Sequence, residues 1–221
     1  MRDHDKNAVP AATVPRLALY LRKLGELQAR GVERVSSKDL AAMIDLNAAQ
    51  IRKDFSYFGE FGTRGVGYSV DRLVEEIRRC LGLTRTWNVI IVGAGSLGSA
   101  LARYRGFAEQ GFRLVAMFDS SPKRIDHGFG EGRRVRDVDE LEDFLAEERV
   151  DIAILTVPGE SAQGIIDRLV DGPPESRVRA ILNFAPVKVF TPRDVVVRQV
   201  DFSSELMSLS FFLDREGCRL G

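Results

Sequence analysis

Val89-Ile90-Ile91-Val92-Gly93-Ala94-Gly95-Ser96-Leu97-Gly98-Ser99-Ala100-Leu101 decides the fold. β-Branched apolar residues run into a Gly-x-Gly-x-x-Gly turn, and a helix-prone segment follows. The order is strand, tight turn, helix. Gly93 makes the turn, Gly95 lets a pyrophosphate approach the backbone, and Gly98 lets the helix sit close on the strand. Free N–H groups at the helix start, with the partial positive charge there, favour phosphates, so Ala94, Ser96 and Leu97 join the predicted site. A second strand, Arg113 to Phe118, ends in Asp119. That acid stands about 20 residues past the last glycine, where a carboxylate can accept from a ribose 2′-OH.

Downstream, strands and helices alternate. Asp139 to Glu148 predicts an acidic helix with Leu141, Phe144 and Leu145 inward. Asp151 to Val157 predicts a buried parallel strand and Ser161 to Val170 a helix. Ala180 to Phe184 and Val195 to Asp201 predict further strands, and His127 to Arg134 a loop or short hairpin. This alternation implies an α/β fold with a doubly wound parallel sheet. Ligands of such sheets bind at the carboxyl ends of the strands. Thr156-Val157-Pro158 and Asn183-Phe184-Ala185-Pro186 lie there with the glycine turn. Lys123 and Arg124 could hold a 2′-phosphate, but Asp119 repels that anion, which favours NAD over NADP.

Upstream, the chain reads as a small helical module. Thr13-Val14-Pro15 opens a helix with Leu17, Tyr20, Leu21, Leu24 and Leu27 on one face, and Gly31 stops it. Ser36-Ser37-Lys38-Asp39 resembles an N-cap with an acid in the first turn, and a short helix from Lys38 to Ile44 follows. Asn47 caps a third, read as Ala48 to Phe58. Ala48, Ile51, Phe55 and Phe58 share one face of it. Ala49, Gln50, Lys53, Ser56 and Tyr57 share the other, with Arg52 on the flank. Two short helices joined by a tight turn, the second polar and basic outside, describe a helix-turn-helix. Gln50, Arg52 and Lys53 suit base edges, while Ser37, Ser56 and Tyr57 suit phosphates. Gly59 to Tyr68 then fits a glycine-tipped hairpin, the wing of a winged helix, with Arg64 near its tip. A helix from Val70 to Leu81 closes the module on Leu73, Val74, Ile77 and Leu81.

Charge agrees with this division. Net charge is zero over 221 residues, but residues 1–86 carry 15 Lys and Arg against 11 Asp and Glu, and residues 87–221 carry 17 against 21. A basic module is therefore joined to an acidic one. Cys80 and Cys218 stand far apart without a C-x-x-C, so neither a disulfide framework nor a metal site is expected. No membrane span and no signal peptide are read, and a cytoplasmic location is expected. The expected bounds are a disordered tail at 1–12, a winged-helix domain at 13–84, a Rossmann domain at 85–201 and a terminal helix and tail at 202–221. Apolar residues cover most of the helix Phe202 to Leu213, which therefore needs cover from its own domain or from a second subunit.

A dehydrogenase needs a proton donor or acceptor beside the nicotinamide. The chain has two histidines, His4 and His127, and neither is well placed; it has no Tyr-x-x-x-Lys. Lys188 or Asp201 could serve instead. The residues alone thus leave three readings open: a cofactor-responsive DNA-binding protein, an NAD(P)-dependent oxidoreductase with an accessory domain, and a nucleotide-binding scaffold.

The whole pattern from about Pro15 to Phe212 resembles the Rex family of bacterial redox-sensing repressors. The resemblance rests on Gln50-Ile51-Arg52-Lys53-Asp54-Phe55-Ser56-Tyr57-Phe58-Gly59, Gly62-Thr63-Arg64-Gly65-Val66-Gly67-Tyr68, the Gly93 to Leu101 turn, Leu155-Thr156-Val157-Pro158 and Ile181-Leu182-Asn183-Phe184-Ala185-Pro186-Val187. It implies a non-enzymatic homodimer that binds a palindromic DNA operator and is released by NADH, while NAD+ competes and leaves DNA binding intact. It also implies that the C-terminal helix is exchanged between subunits and that Asp201-Phe202 lies beside the partner's nicotinamide. Asp201 is implied to switch between Arg22 and Tyr104. A tight apolar pocket around Phe202 would penalise the charged, oxidised ring by desolvation. Residues 1–12 have no counterpart in the resemblance.

Overall fold

The computed structural model describes residues 9–57, 62–63, 67–130, 132–173 and 177–214, with backbone alone at 62–63. The chain divides into two compact units, one up to Arg85 and the other from Thr86 onward.

In the first unit, helix α1 spans Val14–Ala29, strand β1 Arg34–Val35, helix α2 Ser37–Ile44 and helix α3 Ala48–Ser56. Strand β2 (Gly62–Thr63) and strand β3 (Gly67–Ser69) pair antiparallel, β1 adds to the other edge of β3, and helix α4 spans Val70–Cys80. The caps are the ones the sequence carries. Ser36 Oγ accepts from Asp39 N, Asn47 Oδ1 from Ala49 N at 2.7 Å, and Ser69 Oγ from Arg72 N. Between α2 and α3 the chain reverses through Asp45, held in the left-handed region at φ 52°. Leu17, Tyr20 and Leu24 of α1 meet Leu40 of α2, Ile51 and Phe55 of α3 and Leu73 and Ile77 of α4 in one buried core. This is the apolar stripe of each helix turned inward. Gly67 sits at φ 80°, and a Cβ there would meet Val35 O at 2.7 Å, so the hairpin crosses β1 only with glycine at this point.

Three expectations need correction. Helix α3 stops at Ser56 rather than Phe58: Tyr57 is its C-cap, half-buried against the core instead of on the solvated face. Phe58 and Arg64 lie outside the described residues. Residues 9–12 are not a tail without structure, because Val9 packs on the core and a 3-10 turn, Ala11–Thr13, leads into α1 with Thr13 buried. Strand β1 was not foreseen, since two residues carry no periodicity.

In the second unit, β4 (Trp87–Val92) leads to α5 (Ser96–Ala102), α6 (Gly106–Glu109) and β5 (Phe112–Asp119). A hairpin of β6 (Gly128–Gly130) and β7 (Arg133–Arg134) follows, then β8 (Arg136–Asp137), α7 (Leu141–Glu147), β9 (Ile152–Leu155), α8 (Gly159–Val170), β10 (Ala180–Asn183), β11 (Val196–Gln199) and α9 (Phe202–Leu213). Six strands form one parallel sheet in the order β11-β10-β9-β4-β5-β8. β4 shows why its residues are apolar without alternation. Ile90 and Val92 enter the core shared with α7 and α8, and Val89 and Ile91 enter the one under the β6–β7 hairpin. Both faces are covered, so both sets must be apolar. The short α6 and β8 were not anticipated.

Candidate functional site

The chain leaves β4 for β5 on one side and later returns to β9 on the other, so the strand order reverses between β4 and β9. Loops leaving neighbouring strands in opposite directions open a crevice at such a point. Gly93 follows β4 here and Thr156 follows β9. Both line a crevice of about 470 Å³ with Asp119, Val157, Pro158 and Arg168. That volume falls in the range of small-molecule sites.

The glycines divide their work in a way the motif alone does not reveal. Gly93 has φ 107°, and a Cβ on it would lie 2.6 Å from Thr156 O. A Cβ on Gly98 would lie 1.9 Å from Gly93 O. Both are thus required by the protein's own packing: the first turn of α5 sits directly on the loop. Thr156 completes this knot, donating from Oγ1 to Gly93 O at 2.7 Å. Gly95 is different. Its nearest neighbour to an added Cβ is Arg124 Nη1 at 4.0 Å, so the fold itself does not demand glycine there. As N-cap of α5 it also offers no side chain to the helix's first N–H groups. An absent Cβ that no protein atom needs, beside uncapped donors, fits close approach by a phosphate-bearing ligand.

Asp119 is 6% exposed, and its oxygens are engaged within the protein. Oδ2 accepts from Ala94 N at 2.6 Å and from Arg124 Nη1 at 3.2 Å, and Oδ1 accepts from Ser121 N at 2.8 Å. Its carboxylate therefore clamps the glycine turn, and these three donations leave one of about four lone-pair sites for a further donor. Arg124, the cation that complicated the choice between NAD and NADP, is paired with that carboxylate.

Asn183, Phe184, Ala185 and Pro186 end β10 and do not line this crevice. Asn183 is fully buried and braces the loop: its Oδ1 accepts from Ala185 N, and its Nδ2 donates to Gln199 Oε1 and Val187 O. Phe184 lies 5.8 Å from the Phe202 ring, centroid to centroid. Phe202 itself is 58% exposed, so the tight pocket expected around it is not formed by this chain's own described residues. Asp201 caps α9. Its Oδ1 accepts from Ser203 N and Ser204 N, its Oδ2 accepts from Ser204 Oγ, and these bonds hold the carboxyl below its ordinary value. Tyr104 is exposed after α5, with its ring 5.2 Å from Phe107. Arg22 is exposed on α1, in the other unit. Sequence reasoning missed Arg168, which lines the crevice while donating to Val138 O and pairing with Glu142. A lone cation inside the apolar Ile165-Ile166-Leu169 run was the available signal.

In the first unit, α3 presents Arg52, Lys53 and Ser56 to solvent. Arg52 Nη1 donates to Ser37 Oγ at 3.1 Å, which joins two predicted DNA-contacting residues from different helices. Gln50 is half-buried, and its Nε2 donates to Asp54 Oδ1 at 2.8 Å. Asp54 is the residue sequence reasoning passed over. It is fully buried on α3 and also accepts from Arg16 Nε at 2.6 Å, Arg16 Nη2 at 2.8 Å and Tyr20 OH at 2.7 Å. Burial pushes its carboxyl up, but the bonds from Arg16, Tyr20 and Gln50 outweigh that and hold it below its ordinary value. Burial pushes the Tyr20 hydroxyl up, and the Asp54 carboxylate adds to that rise.

Comparison with known proteins agrees with this two-part geometry. Residues 8–56 match the family model "Putative DNA-binding protein N-terminus", and residues 84–187 match the family model "CoA binding domain". The chain is 48% identical over 94% of its length to the redox-sensing transcriptional repressor Rex of Streptomyces coelicolor, covering 79% of that protein. It is 45% identical over 94% of its length to Rex of Carboxydothermus hydrogenoformans, covering 98% of that protein. A crystal structure of RSP with β-NAD+ and operator DNA superimposes with a TM-score of 0.87 at 39% identity, covering 94% of each chain. RSP with β-NADH superimposes with a TM-score of 0.83 at 38% identity, over 94% of this chain and 95% of that one.

Proposed function

Because this chain belongs to the Rex family of redox-sensing transcriptional repressors, a family of regulators rather than enzymes, we propose that it binds palindromic operator DNA as a homodimer and lets go when NADH fills its crevice. The observation that carries the reading is the presence in one chain of a capped, basic α3 and a clamped glycine turn at a sheet switch point. A dinucleotide is held by Gly93, Ala94, Gly95, Ser96, Leu97 and Gly98 at its pyrophosphate, with Asp119, Thr156, Val157 and Pro158 around it. Asn183, Phe184, Ala185 and Pro186 shape the nicotinamide end, with Phe202. DNA contacts are assigned to Ser37, Gln50, Arg52, Lys53 and Ser56, with Tyr57 through its exposed part and Arg64 from its place in the sequence alone. The reading carries with it a cytoplasmic location.

Helix α9 supports the dimer. Leu206, Met207, Phe211 and Phe212 are each 60% or more exposed, on a helix whose apolar residues cover most of its circumference. A patch of this kind on a single chain calls for a covering partner, and exchange of α9 between subunits supplies one. Exchange also carries Asp201 and Phe202 to the partner's crevice, where Phe202 gains its cover. Reduced nicotinamide is neutral and the oxidised ring is cationic, so an apolar enclosure favours NADH in the closed dimer. Asp201 then trades Arg22 for Tyr104, and the spacing of the two α3 helices changes with it. Two recognition helices must match one half-site repeat, so a small rotation costs many contacts together.

The test is an operator duplex in complex with the full chain, titrated with NADH and separately with NAD+. Release by NADH alone is expected. Equal release by both overturns redox sensing, and oxidation of NADH by a carbonyl substrate without any duplex shift returns the oxidoreductase reading.

A further inference from the structure

We propose that Asp54 is a positioning residue for sequence readout: it fixes the Gln50 amide so that its remaining donor and acceptor meet an adenine edge. The proposal rests on the operator-binding reading above and deepens it.

Four donations converge on the two Asp54 oxygens, two from Arg16, one from Tyr20 and one from Gln50. A carboxylate offers about four lone-pair sites, so the group is saturated and cannot swing without losing bonds. Arg16 is fixed in turn, donating to Ala12 O at 2.8 Å and Thr13 Oγ1 at 3.1 Å. The chain of restraint runs from the 3-10 turn through Arg16 and Asp54 to Gln50. Gln50 lies one turn before Asp54 on α3, at the border between the core and the face that bears Lys53.

A Gln amide has two N–H donors and one oxygen. With one N–H given to Asp54, a single N–H and Oε1 remain. That pair matches adenine in the major groove, where N7 accepts and the N6 amino group donates. Ordering a long side chain on binding weakens a contact by roughly 2- to 10-fold, and a side chain held in advance avoids that loss. Asp54 itself touches no base. It acts through Gln50, and its effect falls on preference at one base pair rather than on the sequence-independent phosphate contacts of the helix.

The experiment is binding-site selection by the full chain from a duplex library with randomised half-sites, followed by affinities for single-base variants of the selected duplex. Gln50→Ala should lower preference for one A·T pair by roughly 5- to 100-fold. Asp54→Asn should weaken preference at that same pair by about 2- to 10-fold. It should leave binding to random duplex and the salt slope unchanged, and add nothing to Gln50→Ala in the double variant. Tyr20→Phe, which spares the Asp54 Oδ1 bond to Gln50, should keep the preference. Replacing that adenine by 7-deazaadenine, which lacks N7 and keeps N6, should reproduce part of the Gln50→Ala loss in the unaltered protein. In the unaltered protein, too, the Gln50 side-chain amide should be rigid by NMR before DNA is added. A freely reorienting amide overturns the proposal even where Asp54→Asn fails to fold. Uniform loss across all duplexes in Asp54→Asn, or unchanged preference in either variant, also overturns it. If no duplex is retained by the unaltered protein, the operator-binding reading itself falls.

Discussion

Ala94 donates its backbone N–H to Asp119 Oδ2 across 2.6 Å, so the end of β5 holds the glycine turn that follows β4. Removing the carboxylate in Asp119→Ala strands a buried N–H, which costs about 1–3 kcal/mol. It also releases Arg124 from its ion pair. Melting of the variant should fall by several degrees, and its NADH affinity by roughly tenfold, or about 1.4 kcal/mol. NADPH should lose less than NADH, because a freed guanidinium suits a 2′-phosphate. Thermal unfolding and two fluorescence titrations check this; an unaltered NADH affinity would show that the clamp is irrelevant to binding.

Gly95 and Gly98 give opposite predictions although both belong to one motif. Gly98→Ala drives a Cβ to 1.9 Å from Gly93 O and should unfold or strongly destabilise the second unit. Gly95→Ala meets nothing closer than 4.0 Å and should fold normally while losing NADH affinity at least tenfold. Thermal melts paired with NADH titration separate the two. A Gly95→Ala protein that binds NADH normally would remove the pyrophosphate from that loop.

Lys53 stands exposed in the last turn of α3. A lysine can suit a base edge, but the residues that reach bases come from the start of a recognition helix, so at the last turn Lys53 is expected on phosphate, where it contributes charge without sequence information. Lys53→Ala should weaken all duplexes alike and reduce the slope of log affinity against log salt by about 1. Loss of preference at a particular base pair would move Lys53 from phosphate to base.

The legible parts of this chain are those written in consecutive residues. The β4 run, the glycine turn and the α9 bounds can be read because strand period, turn chemistry and a mostly apolar circumference are local properties. Strands β1 and β8 could not be read, since each is two residues long and depends on a neighbour for its pairing. Asp54 lies within the Gln50 to Gly59 motif, yet nothing local marks its role. Its partners Arg16 and Tyr20 lie 38 and 34 residues away, and only the packing of α1 on α3 brings them together. Asp119 is legible from its spacing, yet its bond to Ala94, 25 residues away, exists only once β4 and β5 are adjacent.

Asp54 also predicts an acid limit for the first unit. Its folded carboxyl lies below the ordinary 3.8, so its contribution is present above that value and is lost as the pH falls through the folded one. Arg16 stays charged throughout, raised by the same carboxylate, and among the described residues of this unit the other depressed acid, Glu26, is an exposed partner of Lys23. Unfolding of this unit followed by circular dichroism should show stability dropping below about pH 4. Arg16→Met, which leaves a buried charge with fewer partners, should cost about 3 kcal/mol near neutrality. Stability flat through that acid range would mean the network contributes nothing to the fold.

Helix α9 turns Leu206 and Phe212 to solvent at 66% and 63% exposure within a single chain. Burying a large apolar side chain contributes about 1.5–3 kcal/mol, so the pair is worth about 3 kcal/mol or more across an interface. The double substitution Leu206→Asp and Phe212→Asp loses that and adds two charges that a partner would have to desolvate. Dimer association should therefore weaken at least a hundredfold, giving a monomer at micromolar concentration by analytical ultracentrifugation. Neither residue belongs to the β4-to-β11 sheet or to the helical core of the first unit, so both units should still melt cooperatively. The monomer should lose the palindrome but retain weak, salt-sensitive binding to a single half-site, because α3 and its caps are intact. A variant that stays dimeric with normal operator binding would show that α9 does not join the subunits.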